Sequence, residues 1–147
     1  MKEDMIFEYV LSDAWGMPLL DIELNKSEHG YMNITEYGDC GEITESTHNI
    51  EITDASMSKI EKAISEFDFN AVKKLEFPPV LDGFMQEFFF KSKDASYVIR
   101  GYNLDYCVGD PEQFPKANAV IDLFSDIAEE LISNGVSEKY FILAPRP

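Results

Sequence analysis

The sequence predicts an α+β domain: a two-layer sandwich in which a mostly antiparallel sheet is covered on one face by a long C-terminal helix and a shorter central helix. Three observations lead there. Through most of the first 53 residues apolar side chains alternate with polar ones, the period-two signature of strands, with no helical segment between them. Two later segments repeat apolar residues at three- and four-residue steps, so each carries one apolar stripe. Strands with one apolar face and helices with one apolar stripe satisfy each other when the helices cover one side of the sheet. A doubly wound parallel sheet would need helices between the early strands; a closed barrel plugged or flanked by residues 118–134 is the competing arrangement.

In chain order, Ile6, Glu8 and Val10 alternate with Phe7, Tyr9 and Leu11, and in Pro18–Leu24 Leu20, Ile22 and Leu24 oppose Asp21 and Glu23. The turn formers of Ser12–Met17 join these two segments as a hairpin. Tyr31–Tyr37 sets Met32 and Ile34 against Asn33 and Thr35, and a weaker strand is expected over Thr47–Thr53. Asp54 or Ser56 then caps a helix whose buried stripe is Met57, Ile60, Ile64 and Phe67. A short turn or helix over Ala71–Leu75 is stopped by Pro78 and Pro79. Asp82-Gly83 turns the chain into Phe84–Phe90, where Phe84, Gln86, Phe88 and Phe90 share one face and Met85, Glu87 and Phe89 the other. Lys91–Asp94 is a polar hairpin loop leading to a strand over Ser96–Tyr102. Val120, Ile121, Phe124, Ile127, Ala128, Leu131 and Ile132 form the longest helical stripe, with Pro115 at its start and Gly135 just past its end. Tyr140–Leu143 supplies a final short strand or a packed tail.

A chain of 147 residues, 45% hydrophobic and 27% charged, fits one domain spanning residues 1–147. Its 28 acidic and 12 basic side chains give a formal charge of -16, which disfavours nucleic acid and anionic bilayers, since both require a cationic footprint. The field is uneven. Residues 1–55 hold 13 acidic side chains against Lys2 and Lys26, a net -11. A basic protein partner would meet that N-terminal surface, because opposed potentials steer encounter. The early apolar run is interrupted by Glu8 and follows Glu3 and Asp4, unlike an export signal, so a cytoplasmic protein with two reduced thiols, Cys40 and Cys107, is expected.

Chemistry-bearing motifs are sparse. His29, His48 and Cys40 lack the close pairing of zinc ligands. Asp39, Glu42 and Glu45 form the densest carboxylate loop without the order of a calcium-binding loop. There is no Gly-x-Ser-x-Gly elbow and no phosphate-binding glycine turn. No catalytic residue, cofactor or metal is therefore assigned. Trp15, in the first turn, is read first as a packing residue and second as an interface anchor. Arg100 is read as the partner of a nearby carboxylate. The aromatic strands could instead line a small cavity, the alternative of a ligand-binding domain or enzyme.

The compact α+β pattern, the acidic N-terminal half, Leu81-Asp82-Gly83 before Phe84–Phe90 and the helix beginning near Lys116–Val120 together resemble small acidic bacterial immunity proteins of polymorphic or contact-dependent toxin systems. The resemblance implies a noncatalytic protein that masks a basic toxin or nuclease surface. Under it, the expected contacts are Asp39, Glu42, Glu45 and Glu51, with Trp15, Tyr31 and Tyr37 as aromatic anchors. Homodimerisation is compatible with either role.

Overall fold

The computed structural model describes residues 4–26, 31–38, 48–80, 82–93 and 95–144, and for Tyr31 and His48 the backbone alone. Six strands, β1 (Met5–Ser12), β2 (Pro18–Asn25), β3 (Tyr31–Glu36), β4 (His48–Glu51), β5 (Met85–Lys91) and β6 (Ser96–Tyr102), form one sheet in the order β4-β3-β2-β1-β5-β6, antiparallel throughout. The sheet is open, with β4 and β6 at its edges, which removes the barrel alternative. Helices α1 (Asp54–Glu66) and α2 (Pro115–Ser133) lie against each other and cover one face.

Alternation decides which side chains meet the helices. Phe7, Tyr9 and Leu11 of β1, Leu20, Ile22 and Leu24 of β2, Met32 and Ile34 of β3, and Phe88 and Phe90 of β5 are buried on the helix-facing side. Phe124 of α2 sits among their rings, 4.7 Å from Tyr9, 5.3 Å from Phe88 and 6.2 Å from Phe7 between centroids. These rings pack into the interior between sheet and helix. Each fully buried side chain of this size adds about 1.5–3 kcal/mol of hydrophobic stabilisation.

The helix ends follow local chemistry. Thr53, rather than Asp54 or Ser56, caps α1, its hydroxyl accepting from the Ser56 amide at 3.2 Å. The start of α2 has no cap of its own; instead, the Glu76 carboxylate accepts from the amides of Lys116 (3.1 Å) and Ala117 (2.9 Å). At its far end the Gly135 amide donates to Ile132 and the Val136 amide to Leu131, and Gly135 at φ +96° adopts the left-handed conformation this closure requires. Asn134 then ties the two helices together, accepting from the Thr53 amide at 2.9 Å and donating to the Ser56 hydroxyl at 2.8 Å.

One expected element is displaced and another settles between its two alternatives. The short helix is a 3-10 turn at Phe69–Val72, earlier than Ala71–Leu75, because Asp68 caps it through the Asn70 amide and Phe69 stacks on Tyr97 at 4.2 Å. Tyr140–Leu143 is not a strand. A 3-10 turn, Glu138–Phe141, starts at Ser137, and Leu143 and Ala144 are then buried as a packed tail. Fully buried Gln86 holds that tail: its amide donates to the Leu143 carbonyl at 2.6 Å while its oxygen accepts from the Leu104 amide at 3.2 Å.

Candidate functional site

Among the described residues no helix lies on the opposite face of the sheet, although Ile6, Ser12 and Phe89 are buried there, and strand register determines its pattern. One row across that face runs Val98, Phe89, Glu8, Glu23, Asn33, Asn49; the next runs Arg100, Glu87, Val10, Asp21, Thr35. Because Glu8 lies opposite Glu23 and one pleat from Asp21, carboxylate oxygens of all three fall within 4.8 Å of one another. All three residues are half-buried. This negative centre occupies the middle two strands and is flanked by Val10 and by Val98, which is 60% exposed.

The electrostatics of the patch register on a neighbour. Tyr37 extends β3 by a single bridge, its amide donating to the Leu19 carbonyl at 3.0 Å. Burial first, then the fields of Asp21, Glu23 and Glu8, push the Tyr37 phenol above its ordinary value. Arg100 donates to Glu87 at 2.6 Å, the carboxylate pairing expected of it, so the β5–β6 side of the face is closer to neutral. Carboxylate oxygens this close can grip an ammonium or guanidinium group through charge-assisted hydrogen bonds, and are equally of the type that holds a hard cation.

At one end of the same face stands Trp15. It is 89% exposed, so the packing role expected first for it is overturned. The reason is the turn itself: the Asp13 carboxylate accepts from the amides of Trp15 and Met17, both at 2.9 Å, and Gly16 takes φ +83°, a tight side-chain-braced turn that carries the indole clear of the sheet. A cleft of about 370 Å³ beneath it is lined by Trp15, Phe84, Met85 and Tyr102.

The expected contact residues divide as follows. Trp15 and Tyr37 belong to this end of the open face; Glu51 is exposed on the edge strand β4, opposite Tyr31 of β3. Asp39, Glu42 and Glu45 lie outside the described residues, as do His29 and Cys40. Glu8, Asp21 and Glu23 were missed as a group, although alternation and the hairpin turn contain the signal. Cys107 is buried, and burial first, with Glu76, Asp105 and Asp110 adding to it, pushes its thiol up to about 11, as befits an unreactive cysteine. Among the described residues no helix is long and apolar enough to cross a membrane.

Comparison with known proteins offers no shortcut around this geometry: no protein-family model matches the chain, and no curated protein matches it.

Proposed function

We propose that this chain is a noncatalytic protein-binding module that receives a basic partner on the open face of its sheet. The observation that carries the proposal is the convergence of Glu8, Asp21 and Glu23 at the centre of a face that no helix of the described residues covers. Carboxylates gathered this closely create a local negative potential, which steers a basic partner and offers its cationic side chains charge-assisted hydrogen bonds. Trp15, held out by a braced turn, supplies the large aromatic anchor that interfaces favour, with Tyr37 and Val10 toward that end of the face and Val98 beside Phe89 in the Glu8 row. Masking a basic toxin or nuclease, the role of the immunity proteins the sequence resembles, is the biological use we favour for such a face.

The test is affinity capture from native lysate with three baits: the natural chain, a Glu8→Gln/Glu23→Gln variant, and an Asp122→Asn/Asp126→Asn variant that removes equal charge from the exposed side of α2. The proposal expects a basic protein retained by the first and third and lost by the second, with retention falling as salt rises. Equal loss from both variants would show that net charge alone governs capture and would defeat the proposal.

A further inference from the structure

A second cleft lies away from the open sheet face, where the 3-10 turn Leu104–Tyr106, the middle of α2 and the C-terminal tail meet. It holds about 630 Å³, within the range of small-molecule sites, and its walls include Phe84, Tyr106, Ile121, Phe124 and Phe141. Large apolar groups stand unburied at its margin: Tyr106 is 59% and Val108 56% exposed. The acidic group in this lining is Asp105. Its Oδ1 is shielded from solvent and has no hydrogen-bond partner among the described residues. The Tyr9 phenol, which feels the Asp105 charge, does not supply one, since it donates to the Ile142 carbonyl at 3.3 Å. A shielded carboxylate oxygen without a donor is an anomaly in a folded chain, and the residue that carries it belongs to the lining of an aromatic cleft.

We infer that this cleft is a binding site for a small amine carrying an apolar or aromatic body. The ammonium would offset the Asp105 charge, with aromatic faces available to the cation, and the body would cover the rings now exposed. An anionic ligand is excluded by the same carboxylate, and a neutral one leaves its charge uncompensated. The inference is independent of the sheet-face proposal, with Phe84 the one named residue that also lines the cleft beneath Trp15.

Phenethylamine is a suitable probe, with 3-phenylpropanoate as its anionic counterpart. Calorimetry and amide chemical shifts should report saturable one-to-one binding of the amine, with shifts centred on Tyr106, Val108 and Ser125, and no binding of the acid. Asp105→Asn should weaken the amine at least about tenfold, the loss expected of a charge-assisted contact, while Asp122→Asn, the same charge change outside the cleft, leaves it unchanged. Ser125→Trp places an indole across the mouth from an exposed position and should abolish binding without altering the melting curve; it decides the question if Asp105→Asn does not fold. Absence of saturable binding, equal affinity for amine and acid, or affinity unchanged in Ser125→Trp would overturn the inference.

Discussion

Glu8→Gln separates the stability role of the acidic centre from its proposed binding role. Glu8 lies within 4.8 Å, oxygen to oxygen, of both Asp21 and Glu23. Two unit charges at that distance repel by about 0.9 kcal/mol in a water-like medium and about 3.5 kcal/mol at an effective dielectric of 20. The residues are half-buried, and Asp21 and Glu23 each make further interactions, so partial screening and compensation keep the total near the lower figure. Glutamine keeps the shape and removes both repulsions, so the variant should gain about 1 kcal/mol, or about 4 °C in melting temperature for a chain of this size. The assay is thermal unfolding in 20 mM and 1 M sodium chloride with a chelator present. The gain should appear at low salt and shrink by more than half at high salt, while affinity for a basic partner falls. A variant no more stable than the natural chain at low salt would refute the reasoning, because the three carboxylates would then not be repelling one another.

Other outcomes follow from the rest of the molecule. Gln86→Leu should destabilise the chain by about 2–4 kcal/mol in urea titration, because it leaves the Leu143 carbonyl and the Leu104 amide without partners in the interior. Glu76→Ala should cost about 1 kcal/mol at pH 7, the value of a helix cap. Burial opposes ionisation of Glu76, yet the Ala117 and Lys116 amides outweigh it and hold the carboxyl below its ordinary 4.5. Its contribution is therefore present above the unfolded value and lost as pH falls through the lower folded one, so acid titration of stability should bring variant and natural chain together there. In a Cys40→Ser background, Cys107 should resist iodoacetamide at pH 7.5 and react on unfolding, since both its burial and its raised value suppress the thiolate. Gly101→Ala should destabilise by about 1–3 kcal/mol, because an added Cβ would fall 2.5 Å from buried Leu104.

What the sequence revealed depended on how local the cause was. Period-two alternation in Ile6–Leu11 and Pro18–Leu24, together with Asp13 and Gly16 between them, was enough to place the first hairpin, and the stripe from Val120 to Leu131 with Gly135 beyond it was enough to place α2. The acidic centre required one further, nonlocal quantity, the register that sets Glu8 opposite Glu23 across an irregularity between Leu11 and Ser12. Weight therefore fell on Asp39, Glu42 and Glu45, whose proximity in the chain is visible without any register. Trp15 was ambiguous because an isolated aromatic in a turn carries no periodicity; the bracing by Asp13 decides its exposure. For the C-terminal tail the sequence left a strand and a packed tail open; the second is found, with Leu143 and Ala144 buried and Leu143 held by Gln86, a long-range contact no local pattern reveals. The Asp105 cleft draws on segments from Gly83 to Ala144, and no local pattern announces it.

The most direct measurement is an NMR cross-saturation experiment on the complex, which marks the residues of this chain within van der Waals reach of a bound basic protein. Saturation transferred to Trp15, Val10, Val98 and Tyr37, and weakened by Glu8→Gln/Glu23→Gln, is the result expected. Transfer confined to the exposed side of α2 around Asp122, Asp126 and Glu129 would place the partner on the wrong layer and contradict the account.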